Sequence, residues 1–204
     1  MSDASSLRGW DRMTKVCIIG TGEVGTALRN GIEKKPGYEV KTAPHEPTRV
    51  RDAAGWGDVV ILAVPLSAIG EVLKEMGDGA KGKILVDVTN DFGEETPAIS
   101  RAEELQRKAP DAKVVKAFNT VFAKHMATGR VKGEAISLFV AGDDPDAKRE
   151  VMDIGRAIGF LPVDAGPLKN SRWVESLGIL NVKLGFGPSN YGDDIGFRVV
   201  GVTP

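Results

Sequence analysis

Three glycines, Gly20, Gly22 and Gly25, spell G-x-G-x-x-G within Gly20-Thr21-Gly22-Glu23-Val24-Gly25. The pattern follows the apolar run Val16-Cys17-Ile18-Ile19 and opens a stretch in which Val24, Ala27, Leu28 and Ile32 recur at helical spacing. A strand, a glycine turn and a helix start in that order make an anion site. The first glycine permits the tight turn, the second lets a diphosphate approach the backbone, and the third lets helix and strand pack closely. Unpaired N–H groups of the first helical turn, with the helix dipole, then hold phosphate. The hydroxyls of Thr21 and Thr26 lie in reach. A glycine turn without a ligand is the alternative, and the strand and helix around it weigh against that.

A NAD-selective site of this kind places an acid at the end of the second strand, about 20 residues on, to hold the ribose hydroxyls. Here that strand ends Lys41-Thr42-Ala43-Pro44-His45, with Glu46 just beyond. The strand end itself has no acid, which leaves room for a 2'-phosphate. Arg49 and Arg51 could supply a guanidinium fork, with Thr42, His45 or Thr48 as lesser donors. The opposing reading makes both arginines solvated loop residues. NADP is the expected coenzyme, and NAD stays admissible.

Reduction of a carbonyl needs a general acid beside the alkoxide. The pattern Tyr-x-x-x-Lys is absent, because Thr42 follows Tyr38 and Ile195 follows Tyr191 at that spacing. Histidine as a residue type suits that role, but His125 falls on what reads as a solvated helix. No catalytic residue is assigned.

These residues need a scaffold. Strand candidates are Lys15–Ile19, Glu39–Ala43, Val59–Val64, Ile84–Thr89, Val114–Phe118, Ser137–Ala141 and Leu161–Val163. Most are nearly continuous in Val, Ile, Leu and Ala, as strands covered on both faces are. Between them, Ile69, Val72, Leu73 and Met76, and later Ala147, Val151, Ile154 and Ile158, draw apolar helix stripes. Arg101–Pro110 reads as a short charged surface helix. The expectation is an α/β doubly wound Rossmann fold with a mainly parallel sheet and right-handed crossovers. A short C-terminal helix follows, with Trp173, Leu177, Leu180 and Leu184 on one face, buried in the core or against a second copy. A glycine-rich tail carrying Phe186, Tyr191 and Phe197 ends the chain.

Length and composition set limits. The 204 residues suit one α/β domain. Residues 14–204 are expected to form it behind an N-terminal extension over residues 1–13. With 27 Lys and Arg against 28 Asp and Glu, no basic face for nucleic acid is implied. Cys17 is the single cysteine, so neither an intrachain disulfide nor a cysteine-rich metal site is expected. The first twelve residues have no secretory apolar stretch, and Val59–Val64 is too short to cross a bilayer. The chain reads as cytoplasmic.

The sequence resembles the NADP-dependent oxidoreductases that act on the deazaflavin coenzyme F-420, a family related to the reductase domain of the Steap ferric reductases. The resemblance covers most of residues 14–200. It rests on Ile18-Ile19-Gly20-Thr21-Gly22-Glu23-Val24-Gly25, Asp58-Val59-Val60-Ile61-Leu62-Ala63-Val64-Pro65 and Asp87-Val88-Thr89-Asn90. It continues in Val115-Lys116-Ala117-Phe118-Asn119-Thr120, Ala141-Gly142-Asp143-Asp144 and Val163-Asp164-Ala165-Gly166-Pro167-Leu168.

The resemblance implies that Val64 and Pro65 border the pyrophosphate and ribose, while Asn90, Phe118 and Asn119 surround the nicotinamide. Asn90 and Asn119 could instead cap turns. The family's hydroxyl-then-arginine cluster after the second strand is here Pro44-His45-Glu46. An acid-free ledge suits hydride exchange with a flat conjugated ring, which asks mainly for face-to-face stacking. The expected acceptor is coenzyme F-420. A flavin or metal-chelate reductase, or a nucleotide-sensing module without turnover, are the alternatives. A homodimer is expected.

Overall fold

The computed structural model describes residues 13–44, 46–93 and 98–201. Along the chain these residues form β1 (Thr14–Ile19), α1 (Glu23–Ile32), β2 (Tyr38–Ala43), α2 (Pro47–Trp56), β3 (Val59–Leu62), α3 (Ile69–Met76), β4 (Ile84–Asp87) and α4 (Arg101–Lys108). There follow β5 (Lys113–Lys116), α5 (Ala123–Met126), β6 (Arg130–Val131), β7 (Glu134–Ala135), β8 (Ser137–Gly142), α6 (Pro145–Ile158), β9 (Leu161–Gly166) and α7 (Ser171–Phe186).

The main sheet runs β2-β1-β3-β4-β5-β8-β9. Its neighbours are parallel except β5 and β8, which pair antiparallel. This is a mainly parallel, Rossmann-type α/β fold. From β1 the chain turns first to β2 on one side and then to β3 on the other, so the switch point lies at the carboxyl end of β1.

Strand sequence and layer structure agree residue by residue. Val16 and Ile18 point into one core with Val59 and Ile61, while Cys17 and Ile19 join Val60 and Leu62 in the other. A strand covered on both faces must be apolar at every position, which is why the runs are continuous. Burial pushes the Cys17 thiol up to about 12, so it stays protonated and serves as packing.

Several boundaries differ from the sequence expectation, each for a physical reason. The apolar runs expected to end at Val64, Thr89 and Phe118 leave the sheet ladder at Leu62, Asp87 and Lys116. Val88, Ala117 and Phe118 in these overhangs are buried although they lie beyond the ladder, which is why the runs continue. Arg49 and Arg51 lie on helix α2 and not in a loop, for Pro47 opens a helix that buries Val50, Ala53 and Ala54.

Helix α7 is turned about its axis relative to expectation. It buries Ser171, Val174, Glu175, Gly178, Asn181 and Gly185, while Trp173 is 68 % and Leu180 47 % exposed. Trp173 and Leu180 face outward while Leu177 and Leu184 are half-buried, so the assignment of the stripe to the core is corrected.

Candidate functional site

The ends of β1, β2 and β3 are tied to one another. Gly20 N donates to Ala43 O at 2.9 Å, and Ala63 N donates to Ile19 O at 2.8 Å. Two of the three glycines are forced by this junction. Gly20 has φ +114°, and a Cβ there would stand 2.0 Å from Ala63 O. At Gly25 a Cβ would stand 2.1 Å from Gly20 O, so only glycine lets α1 approach the turn.

Gly22 differs. Its φ of −72° is ordinary, and a Cβ there would meet nothing within 4 Å. It occupies the N-cap of α1 with no side-chain cap, so the first-turn N–H groups face open space. Such a helix N-terminus could hold an anion. Thr21 and Glu23 are exposed beside it, Val24 is half-buried, and the Thr26 hydroxyl donates to Thr21 O at 3.3 Å, steadying the turn.

Beyond β2, Ala43 is buried and Pro44 half-buried. His45 lies outside the described residues. Arg49 Nε sits 2.9 Å from Glu46 Oε2, both well exposed. Arg51 is two residues further along the same helix, so the two guanidinium groups diverge and do not form one fork.

The overhangs after β3, β4 and β5 make a ledge beside the turn. Val64 is half-buried, and its Cγ1 would lie 3.3 Å from a Cβ on Gly20; Pro65 is exposed. Asn90 Nδ2 donates to Asn119 O at 2.8 Å, and Asn119 Nδ2 donates to Asn90 Oδ1 at 3.0 Å and to Val174 O at 3.0 Å. These two asparagines are therefore brought together.

The Phe118 ring is fully buried and meets Phe160 edge-on, with centroids 5.9 Å apart. What Phe118 offers a ligand is backbone. Its φ is +65°, and Asn119 N donates to Ala117 O at 2.9 Å across it, a positive-φ γ-turn. Such turns are rare and strained, at about 1–3 kcal/mol each, and gather at ligand sites.

Helix α7 closes the ledge. A Cβ on Gly178 would stand 2.5 Å from Asn90 Oδ1 and 2.8 Å from Asn119 Nδ2. Asn181 Nδ2 donates to Thr120 O at 3.1 Å. Neither residue stood out in the sequence, nor did Glu175 and Lys116, which lie beneath the ledge. The available signal was the repeat of polar and small residues between the leucines of α7.

A cavity of about 930 Å³ opens between the glycine turn and the tail. Thr21, Gly22 and Glu23 line one side, and Phe122, Phe186 and Asp193 the other. The Phe122 and Phe186 rings meet edge-on at 5.5 Å. The tail is pinned rather than loose. His125 Nε2 lies 2.8 Å from Asp193 O, Lys124 Nζ lies 3.1 Å from Asp193 and 3.0 Å from Asp194, and Ser137 N donates to Phe197 O at 2.8 Å. His125 is 6 % exposed, so the solvated helix expected for it is corrected. Its ring serves the tail.

Asp91, next to Asn90, carries a carboxylate near the ledge. The side-chain hydrogen bonds from Arg101, then the Gly93 N–H, hold its pKa below the usual carboxylate range. It is ionised at neutral pH and has no proton to give.

The doubly wound sheet with an open glycine turn at its switch point defines the class, a Rossmann-type oxidoreductase fold. Residues 43–91 match the family described as NADP oxidoreductase, coenzyme F420-dependent. The chain is 32 % identical over 146 residues to an F420-dependent NADP reductase of Methanocaldococcus jannaschii, covering 66 % of this chain and 65 % of that protein. It is 30 % identical over 191 residues to the metalloreductase STEAP3 of Rattus norvegicus, covering 86 % of this chain. There it spans 38 % of the relative's length. A crystal structure of a candidate F420-dependent NADP reductase from Arthrobacter sp. FB24 superposes with a TM-score of 0.80 at 27 % identity, covering 91 % of this chain and 98 % of that one. Across these matches the chain is similar to the coenzyme F420-dependent NADP oxidoreductases. Among the described residues, no helix is long and apolar enough to cross a membrane.

Proposed function

We propose that the chain is an NADP(H)-dependent oxidoreductase that passes hydride between the nicotinamide and a flat conjugated acceptor, a deazaflavin of the F-420 type. The observation that carries this reading is Gly22, a glycine that neither packing nor backbone requires, standing open at a helix N-terminus. Residues 14–204 act in it as one dinucleotide-binding domain.

In this reading the N–H groups over Gly20–Gly25 hold the diphosphate. Val64 and Pro65 border the ribose, and Arg49, with His45, meets the 2'-phosphate once Arg49 leaves Glu46. The Asn90–Asn119 pair and the Phe118 backbone fix the nicotinamide end. NADPH supplies the hydride.

The residues around the ledge supply no proton. Asp91 is held as a carboxylate, and the Lys116 ammonium is buried, hydrogen-bonded to Asp87 and Thr89 and paired with Glu175. Hydride transfer between two flat rings has no need of a donor, because the acceptor ring spreads the charge. The aromatic side of the cavity, Phe122 and Phe186, suits such an acceptor. The reading includes a homodimer joined through the exposed Trp173 and Leu180 with the half-buried Leu177 and Leu184 beside them.

The test is anaerobic mixing with NADPH and either F-420 or FAD, following absorbance. Oxidation of NADPH with F-420 and not with FAD is expected. Preference for FAD or a ferric chelate would favour the second reading, to which the long match with a metalloreductase points. NADPH binding without turnover on any acceptor would instead leave a nucleotide-sensing module.

A further inference from the structure

Lys116 is fully buried at the end of β5, directly beneath the ledge. Its ammonium donates two hydrogen bonds and pairs with two carboxylates. Nζ lies 2.9 Å from Asp87 Oδ2 and 3.1 Å from Glu175 Oε1, and it donates to Thr89 O at 2.5 Å. Both carboxylates are themselves buried and held elsewhere. Asp87 Oδ1 accepts from Thr89 N at 2.9 Å and Thr89 Oγ1 at 2.8 Å. Glu175 accepts from the backbone N–H of Arg101 at 3.1 Å and Ala102 at 3.3 Å, in the first turn of α4.

Three charges taken out of water are expensive, and an apolar cluster of similar volume would stabilise the fold as well or better. What the cluster does that apolar packing would not is fix geometry. It joins β4, β5, α4 and α7 at one point, and the helix it tethers carries the groups against which the asparagines rest. Val174 O, adjacent to Glu175, accepts from Asn119 Nδ2, and Gly178, one turn on, packs on Asn90 and Asn119.

The Asn119 amide is oriented without ambiguity. Its Nδ2 faces two acceptors, Asn90 Oδ1 and Val174 O, so the other atom is oxygen. That Oδ1 is buried and has no hydrogen-bond partner among the described residues. An orphaned buried acceptor costs about 1–3 kcal/mol. Beside a strained γ-turn, it is an acceptor waiting for a ligand N–H, such as that of a carboxamide.

We propose that Lys116 is a positioning residue. Through Glu175 it sets the seating of α7, and hence the placement of the Asn119 Oδ1 acceptor that orients the nicotinamide carboxamide. This inference rests on the dinucleotide reading above. It separates two properties that a merely structural lysine would move together: the grip on the dinucleotide, made at α1, and the pose of its reactive ring, made at the ledge.

The experiment compares the full chain with Lys116→Met and Glu175→Gln, the second keeping side-chain size should the first not fold. NADPH affinity is measured by calorimetry, ring pose by the emission of bound nicotinamide, and hydride transfer at saturating NADPH. Affinity is expected to stay within about threefold, since distant sites act independently. The emission change on binding is expected to be lost by half or more, and the transfer rate to fall about 10–100-fold, the scale of a small misplacement. A folded variant with parental emission and rate overturns the inference. Loss of affinity in step with rate also overturns it, marking a structural role only. If the unsubstituted chain binds no NADPH, the dinucleotide reading itself fails, a result distinct from either.

Discussion

The two halves of the candidate site are built from opposite materials. The turn after β1 is backbone: three glycines, free N–H groups, and a side-chain-free opening at Gly22. The ledge after β4 and β5 is side chains: two asparagines locked together, a buried ammonium between two carboxylates, and a helix from 55 or more residues away in the chain. A backbone site needs only local sequence to exist. A side-chain site needs the whole fold to be in place first. The lesson is that the first can bind unaided, while the second must be held.

Substitutions in the turn sharpen this contrast most. Gly25→Val places its Cβ 2.1 Å from Gly20 O, a backbone atom that cannot step aside. A loss of about 4 kcal/mol or more in denaturant unfolding is expected, the range of core clashes at a special position. An unchanged midpoint would mean that the β1–α1 approach is looser than described.

A smaller effect is expected at the ledge. Gly178→Ala drives a methyl group to 2.5 Å from Asn90 Oδ1, against a side chain that can shift. Overpacking of this kind costs about 1–3 kcal/mol. The transfer rate should fall while NADPH affinity holds. If affinity fell and rate held, the roles assigned to the two regions would be reversed.

Arg49→Ala tests the outer end of the site. A charge-assisted hydrogen bond of about 1.5 kcal/mol corresponds to roughly a tenfold loss of NADPH affinity with NADH unaffected. Stability should not move, because the guanidinium is exposed and its pair with Glu46 is a surface pair. Equal losses for both coenzymes would remove Arg49 from the 2'-phosphate.

The mildest prediction concerns pH. The Arg101 hydrogen bonds lower the pKa of Asp91 on folding. Its contribution is therefore fully present above the unfolded carboxylate value, about 3.9, and is lost as pH falls through the lower folded value. Asp91→Asn should lower stability by a constant amount at neutral pH, and that difference should fade as pH falls along the acid limb. A difference that persists undiminished in acid would contradict the assignment.

What the sequence made legible follows the same division. The inner strands of the sheet could be read because burial on both faces makes them nearly continuously apolar, as in Val59–Leu62; the edge strand β2, with Glu39 and Lys41 exposed, shows alternation instead. The stripe Ala147, Val151, Ile154 and Ile158 could be read because α6 packs on apolar neighbours alone. Helix α7 could not, since its inner face packs on a polar ledge and so carries Ser171, Glu175, Gly178 and Asn181. Periodicity of leucines pointed to the wrong face. Helix α2 escaped because only Val50, Ala53 and Ala54 of its residues are buried, leaving a mostly polar string behind Pro47. The β6–β7 hairpin, two residues a side, is too short to leave a pattern.

The central claim is that the open N-terminus of α1 grips the diphosphate. Gly22→Asp tests it most directly. Aspartate is a favoured N-cap, and the space around Gly22 is empty, so the melting temperature should hold or rise slightly. The same carboxylate occupies the anion cradle and repels phosphate. Calorimetric titration with NADPH should give saturable binding for the parent chain and at least about a hundredfold weaker binding for the variant, the scale of about 2.7 kcal/mol. Equal affinity in a folded Gly22→Asp variant would contradict the account.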